Sequence, residues 1–295
     1  MHRNNIEIWT PDLPGYRLLD SGDKKKLEEI GGYRLVRSEP RAWWQPRLPQ
    51  SEWDKASALF TQEKGKWIFK KECRDVTFDF KSIKVWLKFP PTSKHIGIFP
   101  EQASQWEWMR EKICSKKKVV GSREIKILNL FGYTGISSLV AAQAGAEVVH
   151  VDGSRAVIGW ARENQELSGL SEANIRWILD DVVSFVKRDV KRGNKYDGII
   201  MDPPSFGRGP KGEVWKVEDD LVEFINLCKQ ILTPEPLFVI LNMYSTELSP
   251  ITLHNLLEDM MGKTGEVVAG ELALRTAGTD RLLPLSIFAN WSYKG

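Results

Sequence analysis

Along the second half of the chain, short apolar runs alternate with stretches whose apolar positions fall three or four apart. A short run that is apolar throughout fits a strand buried on both faces, and the intervening spacing fits an amphipathic helix. The strands predicted in this way are residues 125–130 (IKILNL), 147–151 (EVVHV), 175–179, 196–201 (YDGIIM) and 237–242 (LFVILN). Helices are expected over 135–144, after Ser154, whose hydroxyl can cap one, and from near Asp181, Val217 and Ser249. Such alternation predicts an α/β domain of parallel strands joined by crossover helices. The end of the chain breaks the pattern, because residues 266–274 and 285–293 read as two strands with only a Gly/Asp-containing loop between them. Without a crossover helix they must pair as an antiparallel hairpin.

The first 90 or so residues follow another rule. Their β-prone runs, 33–36, 66–69 and 84–89, are separated by Pro and Gly and predict a small β-rich module. Residues 91–123 then form a connecting segment with a helix over 101–113, and 124–295 form the main domain. A chain of 295 residues, 42% hydrophobic, can bury one large core and one smaller one.

Charge is unevenly shared. Residues 1–120 hold 24 Lys/Arg against 16 Asp/Glu, whereas the remainder holds 18 against 23. A basic N-terminal part is compatible with a polyanion partner such as RNA and equally with an ordinary solvated surface. Eight of the twelve tryptophans lie before residue 120, some among cations, as in the run from Lys64 to Lys71 (KGKWIFKK). Aromatics among cations can stack on single-stranded RNA, or they can build the core of a small module. The N-terminus has no apolar run like a signal peptide, and no stretch reaches the roughly 20 residues of a membrane span, so a cytoplasmic protein without a membrane partner is expected. The three cysteines, Cys73, Cys114 and Cys228, form no CxxC and the four histidines are scattered, so neither a disulfide framework nor a metal site is expected.

Candidate chemistry sits where the predicted strands end. Asn129-Leu-Phe131-Gly132-Tyr133-Thr134-Gly135 closes the first strand with a GxxG turn that brings backbone close to a ligand. A dinucleotide-binding loop would read GxGxxG, to seat a pyrophosphate. Asp152 ends the second strand, where a carboxylate can accept both ribose hydroxyl protons of an adenosine, a feature shared with NAD enzymes. Asp181 follows the third strand and can either cap the next helix or face an adenine. Asp202-Pro203-Pro204-Ser205-Phe206 follows the fourth: paired prolines leave carbonyls without neighbouring N–H donors, Asp202 adds an acceptor, and Phe206 offers a face to a planar base. Residues 207–215 (GRGPKGEVW) read as a mobile lid or as a solvated loop.

Taken together, LNLFGYTG, VDGS, ARENQELSGL, DDVVSFV and DPPSF resemble the rRNA large-subunit methyltransferase I-like family over roughly residues 95–245. The resemblance implies a Rossmann-like class I methyltransferase sheet, five parallel βα units closed by an antiparallel hairpin, and S-adenosyl-L-methionine as cofactor. It implies that Phe131 to Gly135 surround the methionine part, that Asp152, with Gly153 and Ser154 beside it, binds the ribose, that Asp181 and Val182 flank the adenine, and that Asp202 and Pro203 border the transfer site. The upstream HIGIFPEQ, ending at Gln102, is similar to that family's GxFxDxR-type segment over the cofactor. Members that methylate carbon-5 of cytosine use a cysteine just after the fifth strand, but here the chain reads Asn242-Met-Tyr-Ser-Thr246. Nor do residues 1–90 carry a clear signature of the PUA-type RNA-binding domain found in many members. The expectation is direct methyl transfer to a nitrogen or oxygen of RNA, with Asp202, Pro203 and Phe206 placing the acceptor. A small-molecule or protein methyltransferase and an NAD(P)-dependent oxidoreductase are the alternatives.

Overall fold

The computed structural model describes residues 6–61, 65–73, 76–120, 124–244 and 247–294, so Lys64 lies outside the described residues. Two compact units divide the chain: Met1–Trp9, Gln105–Leu272 and Ser286–Gly295 form the first, Thr10–Ser104 and Ala273–Leu285 the second. These limits differ from the expected ones at residues 90 and 123. In chain order β1 (Ile6–Trp9) is followed by β2 (Tyr16–Gly22), β3 (Lys25–Ile30), β4 (Tyr33–Ser38), α1 (Gln50–Trp53), β5 (Ala58–Thr61), β6 (Lys66–Phe69), β7 (Thr77–Phe80) and β8 (Ile83–Trp86). Then come α2 (Ala103–Val120), β9 (Lys126–Leu130), α3 (Ile136–Gln143), β10 (Glu147–Asp152), α4 (Arg155–Leu167), β11 (Ile175–Leu179), α5 (Val182–Arg192) and β12 (Gly198–Met201). The chain ends with β13 (Phe206–Arg208), β14 (Val214–Lys216), α6 (Val217–Gln230), β15 (Phe238–Tyr244), α7 (Pro250–Met261), β16 (Gly265–Arg275) and β17 (Leu282–Tyr293).

The first unit is built on one eight-stranded sheet in the order β1-β16-β17-β15-β12-β9-β10-β11. The five strands from β15 to β11 are parallel, as their apolar runs predict, and β17 returns antiparallel to β15. Alternate side chains serve opposite faces. Leu128, Leu130, Val149, Val151, Ile199, Met201, Val239 and Leu241 pack against the apolar stripes of α5, α6 and α7. On the other face Asn129 and His150 meet Ser138 of α3, and Phe238 meets Trp108 of α2. One strand was not legible: β1 adds to the sheet edge in parallel register with β16, Ile6 opposite Ala269. Among the described residues, no helix is long and apolar enough to cross a membrane.

The second unit is β-rich. A five-stranded sheet, β2-β3-β4-β5-β6, contains one parallel pair, β4 with β5, bridged by the single turn of α1, and β7 pairs with β8 as a separate hairpin. Its centre holds a buried ion pair: Glu28, fully buried on β3, accepts two hydrogen bonds from Arg37 of β4 and a third from the Tyr16 hydroxyl. Residues 91–104 belong with this unit because Arg37 also donates to the Lys94 carbonyl and Lys94 donates to that of Ser38. Trp67 packs against Phe60 and Phe89 and its indole N–H donates to the Ser93 carbonyl, so the tryptophan of the KGKWIFKK run builds core.

Candidate active site at the carboxyl edge of the sheet

Because β9, β10, β11 and β12 are parallel, the loops after them emerge at one edge. The chain steps from β9 outward to β11 and then returns to β12 on the other side of β9. The crevice at such a reversal is where open α/β sheets hold ligands.

The loop after β9 is tightly wound, with φ of +57° at Phe131, +51° at Tyr133 and +82° at Gly135. Left-handed backbone at two aromatic residues is costly and survives only where the surroundings impose it. Here the Phe131 ring packs on Trp215 and Phe224, and the Tyr133 N–H donates to Asp152 Oδ2 at 3.0 Å. A β-carbon at Gly132 would stand 2.3 Å from the His150 ring, and one at Gly135 would stand 2.7 Å from Trp177. Beneath the loop, Asn129 Nδ2 donates to Ser138 Oγ at 2.9 Å, which lies 3.0 Å from His150 Nδ1. Burial pushes the pKa of His150 down to about 3, so the ring is a neutral prop for the turn. Thr134 is buried, and its carbonyl accepts from Asn164 of α4. Neither His150, Ser138 nor Asn164 was singled out by sequence. Their only signal is a polar residue within an otherwise apolar strand or helix face.

Asp152 uses one oxygen for Tyr133 and the other for the Ser154 N–H at 2.8 Å. Burial raises its pKa above the ordinary carboxylate value, although the same two N–H groups pull it down. Ser154 occupies the position before α4 but makes no side-chain cap, a correction to the expected role: its backbone is engaged by Asp152 instead. Asp181 does cap α5, accepting from Ser184 N at 2.8 Å through Oδ1. Val182 points into the core, leaving only its backbone on the ligand side.

After β12, Asp202 and Pro203 continue from the sheet, and the Asp202 N–H donates to the Leu130 carbonyl. The carbonyl of Pro204 is taken by Trp215 Nε1 at 2.7 Å. Phe206 is 54% exposed. Residues 207–208 and 214–215 lie on β13 and β14, 209–213 connect them, and the two strands pair as a hairpin with Phe206 opposite Lys216. Its tip lies against the loops that carry Gly153 and Asp181: a β-carbon at Gly209 would stand 3.1 Å from Asp181 Oδ2, and one at Gly153 would stand 3.5 Å from the Arg208 carbonyl. Asn242 is buried on β15. Gln102 ends a short 3-10 turn in the second unit, where its N–H donates to the Phe99 carbonyl. Of the cysteines, Cys228 is fully buried among apolar residues and its thiol pKa is raised by that burial.

A family model for S-adenosylmethionine-dependent methyltransferases matches residues 94–238. The crystal structure of a S-adenosylmethionine-dependent methyltransferase from Agrobacterium tumefaciens is 42% identical, superimposes with a TM-score of 0.91, and the match covers 99% of this chain and 94% of that one. The chain belongs to the S-adenosylmethionine-dependent methyltransferase family. This methyltransferase is also similar to a ribosomal RNA large subunit methyltransferase K/L of Shewanella frigidimarina, 37% identical over 122 residues, 40% of this chain and 17% of the relative. A ribosomal RNA large subunit methyltransferase I of Aeromonas salmonicida is 42% identical over 82 residues, 28% of this chain and 21% of the relative. The methyltransferase therefore matches only about a fifth of those curated relatives' length. S-adenosyl-L-methionine is the family's cofactor, and an oxidoreductase reading is not favoured.

Proposed function

We propose that this methyltransferase modifies ribosomal RNA by direct transfer, working in the cytoplasm, where three unpaired thiols suit a reducing compartment. The observation that carries the reading is the convergence at one sheet edge of the strained Phe131–Gly135 turn, Asp152, Asp181 and the Asp202-Pro203 strand exit. The RNA acceptor rests on the similarity of the catalytic unit to the two rRNA enzymes.

The residues present fit the cofactor. Gly132 and Gly135 pack so closely on the His150 and Trp177 rings that a β-carbon would collide there, and this close packing fixes the course of the turn whose backbone would meet the amino-acid end. Asp152, rigidly held by two N–H groups, keeps further lone pairs for the two ribose hydroxyls beside Gly153. Asp181 Oδ2 and the backbone N–H of Val182 suit the adenine edge, and the hairpin tip at Gly209 covers that side. Asn129, with its side chain committed to Ser138, contributes by holding the turn. The bound cofactor supplies a methyl on a positively charged sulfur, which needs no help to leave.

Catalysis is then a matter of placing the acceptor in line. Asp202 and the carbonyl of Pro203 would orient the acceptor's N–H or O–H, and the exposed Phe206 ring would support the base. The acceptor's lone pair would take the methyl as its bond to sulfur breaks, and the displaced proton would pass to Asp202 and on to solvent. Carbon-5 chemistry would need a thiolate, and no cysteine follows β15. Changing Cys73, Cys114 and Cys228 together to serine should therefore leave turnover within about twofold in a folded protein, since removal of a true nucleophile costs several orders of magnitude. A large loss, or a covalent adduct with 5-fluoropyrimidine RNA, would overturn direct transfer. The substrate class is tested by incubating the protein and cofactor with rRNA transcribed without modifications and analysing its nucleosides. One new N- or O-methylated nucleoside is expected, and an unchanged profile with both purified transcripts and ribosomal particles would remove RNA as acceptor.

A further inference from the structure

We propose that the second unit carries a binding site for unpaired RNA, centred on Trp43. Trp43 is 80% exposed, whereas Trp53 and Trp67 of the same unit are buried. An indole left in solvent costs the fold apolar burial and is informative when it is also held rigidly. The backbone on either side of it is so held: Asp23 and Lys24, both with positive φ, form the tight turn between β2 and β3, and their N–H groups donate to the carbonyls of Trp44 and Ala42 at 2.8 and 2.7 Å. Trp44 is tucked beneath, its indole N–H on the Ser21 carbonyl and the Arg281 guanidinium 5.6 Å from its ring. The Lys24 ammonium stands 5.8 Å from the centre of the Trp43 ring.

The same turn and loop run into a groove of about 320 Å³ within this unit. Val36, Trp53 and Leu59 give it an apolar floor, and Lys25, Lys70, Asp23 and Asp54 also line it, the Lys70 ammonium donating to the Asp54 carbonyl and the Gln45 amide to the Asp23 carboxylate. That volume lies at the small end of ligand-sized pockets and suits one flat, polar-edged base rather than a folded partner. An exposed aromatic face with a cation beside it, next to a base-sized groove edged by both ammonium and carboxylate groups, suits a single strand: bases stack, carboxylates accept from a base's amino edge and ammonium groups meet phosphates. The charge agrees, since this unit carries 20 Lys/Arg against 14 Asp/Glu and the first carries 22 against 25.

The inference rests on RNA being the substrate and says where an unpaired segment of it is held. The test is anisotropy of a labelled eight-nucleotide single-stranded RNA with the full-length protein and with Trp43→Ala, Trp43→Phe and the triple Lys24→Gln, Lys25→Gln, Lys70→Gln variant. Trp43→Ala should weaken binding by about tenfold, Trp43→Phe should retain most of it, and the triple variant should flatten the salt dependence by about two in log-log slope. Cofactor affinity, measured on the same samples, should stay unchanged. Equal affinity of wild type and Trp43→Ala, or no binding by wild type, overturns the site. If methyl transfer to rRNA persists in that case, the RNA reading stands without it, whereas transfer to protein alone removes both.

Discussion

Asp152→Ala is expected to weaken S-adenosylmethionine binding by about a hundredfold or more. On the proposed ribose contact two hydroxyls lose a charged acceptor at once, each such bond contributing about 1.5–3 kcal/mol. The Tyr133 N–H loses its partner as well, so the left-handed turn at Phe131 and Tyr133 is held less firmly when the cofactor arrives. Asp152→Asn keeps an acceptor of similar shape and should lie between the two. Titration calorimetry at neutral pH reads both effects, with the circular dichroism of each variant confirming that the sheet is intact. On the same proposal Asp152 binds as the carboxylate, so affinity in the wild type should also fall as the solution is made acid. The fall should begin at higher pH than for a solvent-exposed aspartate, since burial raises this pKa. An Asp152→Ala protein with unchanged affinity would take this residue out of the ribose site.

Arg37→Ala should destabilise the second unit by about 3–5 kcal/mol, the usual consequence of leaving a buried partner charge alone. Glu28 has no solvent access, and among the described residues its compensation comes from Arg37, Lys26 at 3.6 Å and the Tyr16 hydroxyl. Burial alone would raise its pKa, yet the Arg37 guanidinium, with help from Lys26, holds it at about 2. A pKa depressed in the folded state means stability that is present above the ordinary value of 4.5 and is lost as pH falls from there toward 2. In Arg37→Ala the opposite holds, because protonation relieves the stranded charge. The gap in urea midpoint between wild type and variant should therefore be wide at pH 7 and narrow by pH 3. A gap that stays constant over that range would show that the pair is not what holds this unit. Replacing both partners, Glu28→Leu with Arg37→Met, should recover much of the loss at pH 7.

That pair also explains where sequence reading stopped. The strand KKLEEI carries two lysines and two glutamates, and nothing local says that Glu28 is buried, since its partner lies on the next strand. Likewise β1 is an edge strand of four residues whose partner, β16, lies some 260 residues later in the chain. By contrast the parallel strands announce themselves because burial on both faces leaves mostly apolar runs, with polar residues at strand ends (Lys126, Glu147, Asp152), on the edge strand (Arg176) or buried within (Asn129, His150, Asn242). The candidate site was legible for a related reason: parallel strands carry their carboxyl-end residues to one edge, so Asp152, Asp181 and Asp202 fall along that edge without any knowledge of packing. What supports them came from distant positions. Trp215 reads as the end of a polar stretch, yet its ring backs Phe131 and its N–H fixes Pro204. Asp181 could be read as a cap or as an adenine ligand, and one oxygen caps while the other lies next to the hairpin tip.

The most direct test is transfer of radiolabelled methyl from S-adenosylmethionine into a cell extract from a strain lacking this protein, separated afterwards into RNA, protein and small molecules. The label should appear in large ribosomal RNA, depend on the added protein, and fall sharply with Asp152→Ala. Label in protein or small molecules alone, or no transfer to any fraction, would contradict RNA methylation by this chain.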